Sequence, residues 1–286
     1  MELQPEYHKY RDGQWKLWVL REKWSEELWR VVLKLTTEQP LSKHPQTVEL
    51  SWPWCGNDAR LYLKVFHGDF GMRALKDVVR HSKAVRSMYQ AAVLRKLNFN
   101  VPVTLAAGEK REYGLLRKAF VLTLGVDGQS LPFLLKEHYS GPTKLTLLEK
   151  RSGLKQLAVE VRRLHELGFV HGDLLPSNIL VSRAAGNASR FFFMDNDRTR
   201  RYPQWMPQLL WRRNLVQLNR LPLPGITLQD RMRFLNHYRE LKRWGKNERR
   251  LLSWLEQKTR KRRKECDSVD ANGSFRQLMR WDRQLT

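Results

Sequence analysis

The order of apolar and polar residues divides this chain into a strand-rich first part and a helix-rich second part. A long helical stretch with several basic residues is predicted at residues 73–97, and a turn at residues 125–128 closes the first part. Partial alternation of apolar and polar side chains predicts five strands before and after this helix, at residues 28–35, 47–54, 60–66, 103–107 and 115–124.

Beyond that turn, apolar residues recur every three or four positions, which is the spacing of an amphipathic helix. This spacing predicts a helix over residues 154–167, and two further helices are predicted at residues 230–244 and 248–264. The fold class is therefore expected to be α+β with two lobes. The first lobe, residues 1–124, is a small antiparallel sheet with one long helix, and the second, residues 125–286, is larger and mainly helical.

Composition changes this picture through charge. The chain has 53 Lys and Arg against 29 Asp and Glu, a formal charge of +24, and its pI is about 10.4. An anionic partner is expected, and nucleic acid, an acidic membrane surface or a phosphorylated substrate would each satisfy the charge. A basic C-terminal segment, about residues 239–286, holds the run Lys-Thr-Arg-Lys-Arg-Arg-Lys at 258–264. This basic amphipathic pattern favours an anionic membrane surface, and the alternative is a solvated helix whose apolar residues pack on the domain.

Other features exclude several classes of protein. No stretch approaches the roughly 18–20 apolar residues of a membrane span, and the first residues lack a secretion signal, so we expect a protein that is not integral to a membrane. Cys55 and Cys266 lie far apart and lack metal-ligand spacing. A disulfide framework or a zinc site is therefore not expected, and a reducing, cytosolic compartment is.

The candidate chemistry is concentrated in one motif of the second part. His171-Gly172-Asp173 is followed by Asn178, and Asp195 comes directly after an apolar, strand-like run. Phosphoryl transfer from a nucleotide needs a carboxylate that orients the attacking hydroxyl or accepts its proton, together with hard oxygen ligands for Mg²⁺. Asp173 suits the first task, and Asn178 with Asp195 suits the second. The structural alternative is that Asp173 and Asn178 cap backbone amides in a turn after a helix.

The motif and its surroundings resemble the bacterial lipopolysaccharide-core kinases that phosphorylate Kdo or heptose, within the protein-kinase-like superfamily. The likeness covers roughly residues 28–240, most of the chain. Besides the motif itself, it is carried by Tyr-Leu-Lys-Val-Phe-His at 62–67, Leu-His-Glu-Leu-Gly at 164–168, Asp-Asn-Asp-Arg-Thr-Arg at 195–200, Trp-Arg-Arg-Asn-Leu-Val-Gln-Leu at 211–218 and Arg-Met-Arg-Phe-Leu-Asn-His-Tyr at 231–238.

The resemblance implies a role for each residue of the motif. ATP is the implied phosphoryl donor and Mg²⁺ the implied cofactor, and the first lobe would bind the nucleotide, with Lys64 on its α and β phosphates. Asp173 would be the catalytic base, and Asn178 and Asp195 would hold Mg²⁺. His171 would be a structural member of the loop, and the backbone of residues 121–128 would bind the adenine.

Two positions depart from the pattern of the family. Gln90 stands where the long helix should present a glutamate, and it would hydrogen-bond the ammonium group of Lys64 without supplying a charge. The loop expected over the phosphates, residues 36–46, contains no glycine. Asp197 is either a second metal ligand or a surface aspartate paired with one of the arginines that follow it.

The sequence therefore predicts an ATP-dependent kinase that phosphorylates a hydroxyl of Kdo or heptose in the lipopolysaccharide core. The expected partners are a lipid-linked core oligosaccharide and an anionic membrane surface, at the inner face of the bacterial inner membrane. Nucleic acid is not expected, because no nucleic-acid-binding motif accompanies the charge. Two alternatives stay open. One is a protein or small-molecule kinase of the same fold, and the other is a catalytically silent kinase-like module that binds membrane or nucleic acid through its basic face.

Overall fold

The architecture comes from a computed structural model of the chain, which divides into two units. The first unit comprises Met1–Val126 together with Asp195–Arg198, and the second comprises Asp127–Met194 together with Thr199–Thr286. A short excursion of the chain, Asp195–Arg198, thus belongs to the first unit although its neighbours in sequence belong to the second. The structure describes residues 7–42, 44–54, 57–68, 78, 80–140, 146–183, 189–203, 205, 209–240 and 245–268.

The first unit is built on an antiparallel sheet of six strands. They are β1 (Tyr7–Asp12), β2 (Trp15–Leu20), β3 (Gln46–Trp54), β4 (Asn57–His67), β5 (Thr104–Glu112) and β6 (Leu115–Leu124). Their order across the sheet is β1-β2-β5-β6-β4-β3. The four strands predicted from residue 47 onwards are confirmed, whereas the hairpin of β1 and β2 was not predicted. On β4, Leu61, Leu63 and Val65 are buried in the core, so the alternation of side chains places Lys64 on the other face.

The predicted first strand, residues 28–35, is wrong, because these residues lie in helix α1 (Glu26–Glu38). The hydroxyl of Ser25 caps the helix by accepting the backbone N–H of Leu28 at 3.1 Å. The segment 36–46 therefore connects a helix to a strand and does not form the expected hairpin loop. The buried residues of α1 follow helical spacing, and they are Leu28, Trp29, Val32 and Thr36.

The long helix of the first unit, α2 (Lys83–Lys96), begins later than the predicted start at residue 73. Residues 73–77 lie outside the described residues. Ser82 fixes the observed start, because its hydroxyl accepts the N–H of Val85 at 3.3 Å and its own N–H donates to the buried carboxylate of Glu109 at 3.0 Å. Glu109 lies on β5, so this hydrogen bond ties the beginning of α2 to the sheet.

The second unit is mainly helical, with small strands. Strands β9 (Ile179–Arg183) and β10 (Ser189–Phe193) pair antiparallel, and β7 (Gln129–Ser130) lies beside β9. A second pair joins β8 (Phe169–Val170) to β11 (Arg200–Arg201). The helices are α3 (Leu131–Ser140), α4 (Leu147–Glu166), α5 (Leu209–Leu218), α6 (Leu228–Arg239) and α7 (Lys246–Ser268).

Local signals explain where these helices begin and end. α4 begins earlier than predicted, because Thr146 and Glu149 form a reciprocal capping box at its N-terminus. α6 ends at Arg239, earlier than predicted, with Glu240 in the left-handed conformation that commonly ends a helix. Helices α3 and α5 were not predicted. Among the described residues, no helix combines the length and the apolar character that crossing a bilayer requires.

Candidate active site

The first unit brings two of the predicted site residues together, Lys64 and Asp195. Lys64 lies in β4, and Asp195 begins the short excursion, whose 3₁₀ turn Asn196–Arg198 packs against α2. The ammonium group of Lys64 donates a hydrogen bond to a carboxylate oxygen of Asp195 and forms an ion pair with it. The two side chains are 24% and 39% exposed. Solvent therefore reaches both members of the pair, so the pair can be exchanged for contacts to a ligand.

The backbone at Asp195 is unusual. Its φ is 59°, in the left-handed region that residues other than glycine seldom adopt and that aspartate tolerates better than most. The residue before it, Met194, donates its N–H to the carbonyl oxygen of Asn178 at 2.9 Å. This hydrogen bond ties the backbone that follows β10 to the residue that precedes β9, one residue before Asp195.

Asp197 lies in an environment that disfavours its charged form. Burial raises the pKa of Asp197, and the neighbouring charge of Asp195 raises it further. The charges of Arg198, Lys64 and Arg86 act in the opposite direction but do not cancel the shift. A surface aspartate that is met only by arginines would have a lowered pKa instead.

Gln90 is half-buried on α2. Among the described residues, the ammonium group of Lys64 is paired with Asp195, and no hydrogen bond joins Gln90 to Lys64. The negative charge that a helix glutamate would offer to Lys64 is thus supplied by Asp195. The predicted part of Gln90 in nucleotide binding stays a prediction.

The predicted catalytic loop lies in the second unit. Gly172 has φ 78°, which suits glycine and explains why no side chain stands at this position beside Asp173. The side-chain N–H of Asn178 donates to the carbonyl oxygen of Asp173 at 2.9 Å, and the N–H of Leu175 donates to the same oxygen at 2.8 Å. The carboxylate of Asp173 makes no hydrogen bond to a described residue, so the structure does not support the alternative in which it caps a backbone amide.

Each unit contains an oxygen donor of the kind that Mg²⁺ binds together with phosphates, Asp195 in the first and Asn178 in the second. Asp195 offers carboxylate oxygens, and the side-chain oxygen of Asn178 accepts no hydrogen bond within the described part of the chain. Mg²⁺ is usually held by one or two protein oxygens together with substrate phosphates and water. The described residues include no group of three or more His, Cys, Asp or Glu that could hold a metal on their own.

The sequence reasoning missed two residues that contact the loop. Asn214 and Gln217, both on α5, hydrogen-bond the backbone at His171, Gly172 and Leu174. The signal that would have located them is a pair of amide side chains three residues apart on one side of a helix that is otherwise apolar on that side.

Comparisons with known proteins give a family match and a structural match. A family model described as the lipopolysaccharide kinase (Kdo/WaaP) family matches residues 56–238. A solved structure described as WaaP in complex with acyl carrier protein matches with a TM-score of 0.58 and 19% sequence identity, over 83% of this chain and 95% of that chain. No curated protein matches the sequence.

These matches confirm two predictions. The structural match confirms the protein-kinase-like α+β fold, and the family model covers the strand with Lys64, the loop with Asp173 and Asn178, and the residue Asp195. The matched region is more than half of the chain, and it confirms the resemblance noted in the sequence. This chain belongs to the lipopolysaccharide kinase (Kdo/WaaP) family.

Proposed function

We propose that this kinase transfers the γ-phosphoryl group of ATP to a hydroxyl of Kdo or heptose in the lipopolysaccharide core. The observation that carries the proposal is the solvent-accessible ion pair of Lys64 and Asp195. A strand ammonium and a carboxylate that neutralise one another are the groups that ATP and its metal ion would engage separately. Lys64 would bind phosphate oxygens, and Asp195 and Asn178 would hold Mg²⁺. When bound, the ion neutralises charge that develops on the phosphates.

Asp173 has the proton-transfer role in this proposal. Its backbone is fixed by hydrogen bonds from Asn178 and Leu175, and its carboxylate makes no hydrogen bond to a described residue. The sugar hydroxyl would donate its proton to that carboxylate while its oxygen forms a bond to the γ-phosphorus. The bond to the bridging oxygen breaks, and ADP leaves with the electron pair.

The test is transfer of radiolabel from γ-labelled ATP to core oligosaccharides of defined truncation. Asp173→Asn and Asp195→Asn should each reduce transfer at least about 100-fold, because general-base and electrostatic roles usually contribute that much. The control is Lys16→Met, at an exposed lysine of the same sheet, which should match the wild type, whereas Lys64→Met should not. Equal transfer by wild type and by both aspartate variants would refute the proposal in favour of a catalytically silent module. Label on a protein or a small molecule alone would favour a kinase of another class.

A second proposal concerns location: the protein acts at an anionic membrane surface, the inner face of the bacterial inner membrane. Leu251, Leu255 and Thr259 of α7 are buried, so the apolar stripe of this helix packs on its own unit. Membrane contact through α7 would therefore be electrostatic, at about 1 kcal/mol per basic side chain near the headgroups. Replacing Lys258, Lys261 and Lys264 with Gln should weaken binding to vesicles containing phosphatidylglycerol.

The matched control replaces three exposed basic residues of the first unit, Lys9, Arg11 and Lys16, with Gln. Both triple variants change the net charge equally. If α7 carries the contact, only its own variant loses vesicle binding, and added salt weakens the wild type. Equal losses would refute a role for α7 and leave only a general effect of net charge.

An acyl carrier protein is a further candidate partner. The related structure was solved as WaaP in complex with acyl carrier protein. The second unit contains a cavity of about 700 Å³ whose lining includes Leu135, Leu157, Phe191, Leu235 and Leu255. Its size is that of a ligand pocket, and its apolar lining suits a fatty acyl chain.

Isothermal titration calorimetry tests this candidate partner. Carrier protein loaded with a long acyl chain should bind more tightly than unloaded carrier protein. Leu157→Trp should remove the difference, and equal binding of both carrier forms would exclude the cavity as the acyl site.

A further inference from the structure

Helices α4, α5 and α6 share one buried chain of hydrogen bonds that ends on the catalytic loop. On the helix side, the hydroxyl of Tyr238 lies 2.8 Å from Nδ1 of His165, and Nε2 of His165 lies 3.1 Å from the side-chain oxygen of Asn214. The same oxygen accepts the backbone N–H of His171 at 3.0 Å. Asn214 is itself fully buried.

The chain continues from Asn214 to Gln217. The side-chain N–H of Asn214 donates to the side-chain oxygen of Gln217 at 2.9 Å. That oxygen also accepts the backbone N–H of Leu174 at 3.3 Å, and the side-chain N–H of Gln217 donates to the carbonyl oxygen of Gly172 at 2.9 Å. The backbone is thus held on both sides of Asp173.

The donor and the acceptor of each hydrogen bond between Tyr238 and the loop can be assigned. Burial lowers the pKa of His165 to about 4, so its imidazole is neutral and has one donor nitrogen and one acceptor nitrogen. Burial also raises the pKa of Tyr238, so its hydroxyl stays protonated. Because the side-chain oxygen of Asn214 can only accept, the imidazole proton of His165 is on Nε2, and the hydroxyl of Tyr238 donates to Nδ1. Nε2–H then donates to Asn214, whose orientation is fixed by the three partners it meets. The amide group of Asn214 in turn fixes the orientation of Gln217.

We infer that Asn214 and Gln217 are positioning residues, which hold the loop so that the carboxylate of Asp173 meets the acceptor hydroxyl. This inference rests on the catalytic role proposed for Asp173. Packing alone does not explain these residues. An amide side chain in the buried part of a helix is unfavourable unless it is fully paired, and a leucine would fill the same space. What leucine cannot provide is the group of three contacts to the backbone of the loop.

The test uses Gln217, which is only partly buried and therefore tolerates substitution better than Asn214. Gln217→Leu should lower kcat about 10- to 100-fold, because a misplacement of about 1 Å at a reacting group has that effect, while KM for ATP changes less than about twofold. The matched control is Gln156→Leu, on half-buried Gln156 of α4, which is not among the residues that line the cavity and makes no hydrogen bond to a described loop residue. Its kcat and KM should equal those of the wild type.

Gln217→Glu gives a pH readout that a merely structural role would not produce. An ionised glutamate still accepts from Leu174 and Asn214, but it repels the carbonyl oxygen of Gly172 instead of donating to it. Protonation restores the donor, and partial burial brings the pKa of such a glutamate upward. The kcat of Gln217→Glu relative to the wild type should therefore rise as the pH falls from about 8 to about 5. The same ratio for Gln156→Glu should stay flat.

Amide hydrogen exchange at His171 and Leu174 provides the check that does not depend on activity. Both amides should be protected in the wild type and in the Gln156 variants, and Leu174 should exchange at least about 10-fold faster in Gln217→Leu. A wild-type protein that transfers no phosphate refutes the proposed function. An active wild type whose Gln217 variants keep their kcat, or whose Leu174 amide stays protected in Gln217→Leu, refutes only the positioning inference.

Discussion

Removing the ammonium group of Lys64 should lower the stability of the protein and remove nucleotide binding, and the ion pair with Asp195 determines the size of the stability loss. In Lys64→Met, the carboxylate of Asp195 loses its partner while the acidic neighbour Asp197 remains. The side chains of the pair are 24% and 39% exposed, which places them between a surface ion pair, at about 0–1 kcal/mol, and a buried hydrogen bond to a charged group, at about 1.5–3 kcal/mol. We expect a loss of about 1–1.5 kcal/mol in the free energy of unfolding.

The assay is a double-mutant cycle in urea, with Lys64→Met, Asp195→Asn and the double variant. The double variant should be less destabilised than the sum of the single variants, by about 1 kcal/mol, because it leaves neither charge unpaired. Lys64→Met should lose nucleotide binding, so ATP should no longer stabilise it against unfolding. The control Lys16→Met should keep both nucleotide binding and the stabilisation by ATP. Strictly additive single variants would show that the ion pair does not exist in the free protein, and the argument from Lys64 and Asp195 would then fail.

Three further predictions concern stability and the loop. Lys118→Met should lower the free energy of unfolding by about 1–2 kcal/mol in urea titrations, because Nζ of Lys118 donates to the carbonyl oxygens of Thr36, Thr37 and Gln39 at the end of α1. Gly172→Ala should cost about 1–2 kcal/mol and slow phosphoryl transfer without changing KM for ATP, because φ is 78° at this position. Burial alone would raise the pKa of Asp230, but hydrogen bonds from Lys150 and Thr227 hold it below its usual value. This stabilisation is therefore complete above about pH 4 and is lost as the pH falls through the native pKa, so Asp230→Asn should reduce the acid sensitivity of thermal unfolding between about pH 5 and pH 2.

Much of the fold and of the motif followed from sequence because local chemistry and tertiary structure agree there. The strands over residues 47–54 and 60–66 alternate clearly, and the loop from His171 to Asn178 has a spacing that few structural turns share. The error at residues 28–35 arose because a short run of Leu, Trp and Val fits both periods. Ser25 followed by Glu26 and Glu27 was the helix signal that should have decided between them.

The remaining misses depend on distant parts of the chain. The pair of amides on one side of α5 marks Asn214 and Gln217 as unusual, but it does not reveal which part of the chain they bind. Their contacts to His171 and Gly172 span 43 and 45 residues. Similarly, Asp195 is 131 residues from Lys64, so no local pattern shows that it neutralises the lysine and that Gln90 is not required to do so. Such pairings come from topology, which periodicity does not encode.

The short excursion Asp195–Arg198 limits how this protein can be divided. A gene fragment that encodes only residues 1–126 would contain the whole sheet and Lys64 but would omit the four residues that complete the unit and neutralise that lysine. Two separately expressed halves could therefore complement one another only if residues Asp195–Arg198 of the second half bound to the first half. Split reporters, truncation libraries and half-molecule crystallisation targets built on a single cut near residue 126 all break this covalent arrangement, whereas a circular permutant keeps it.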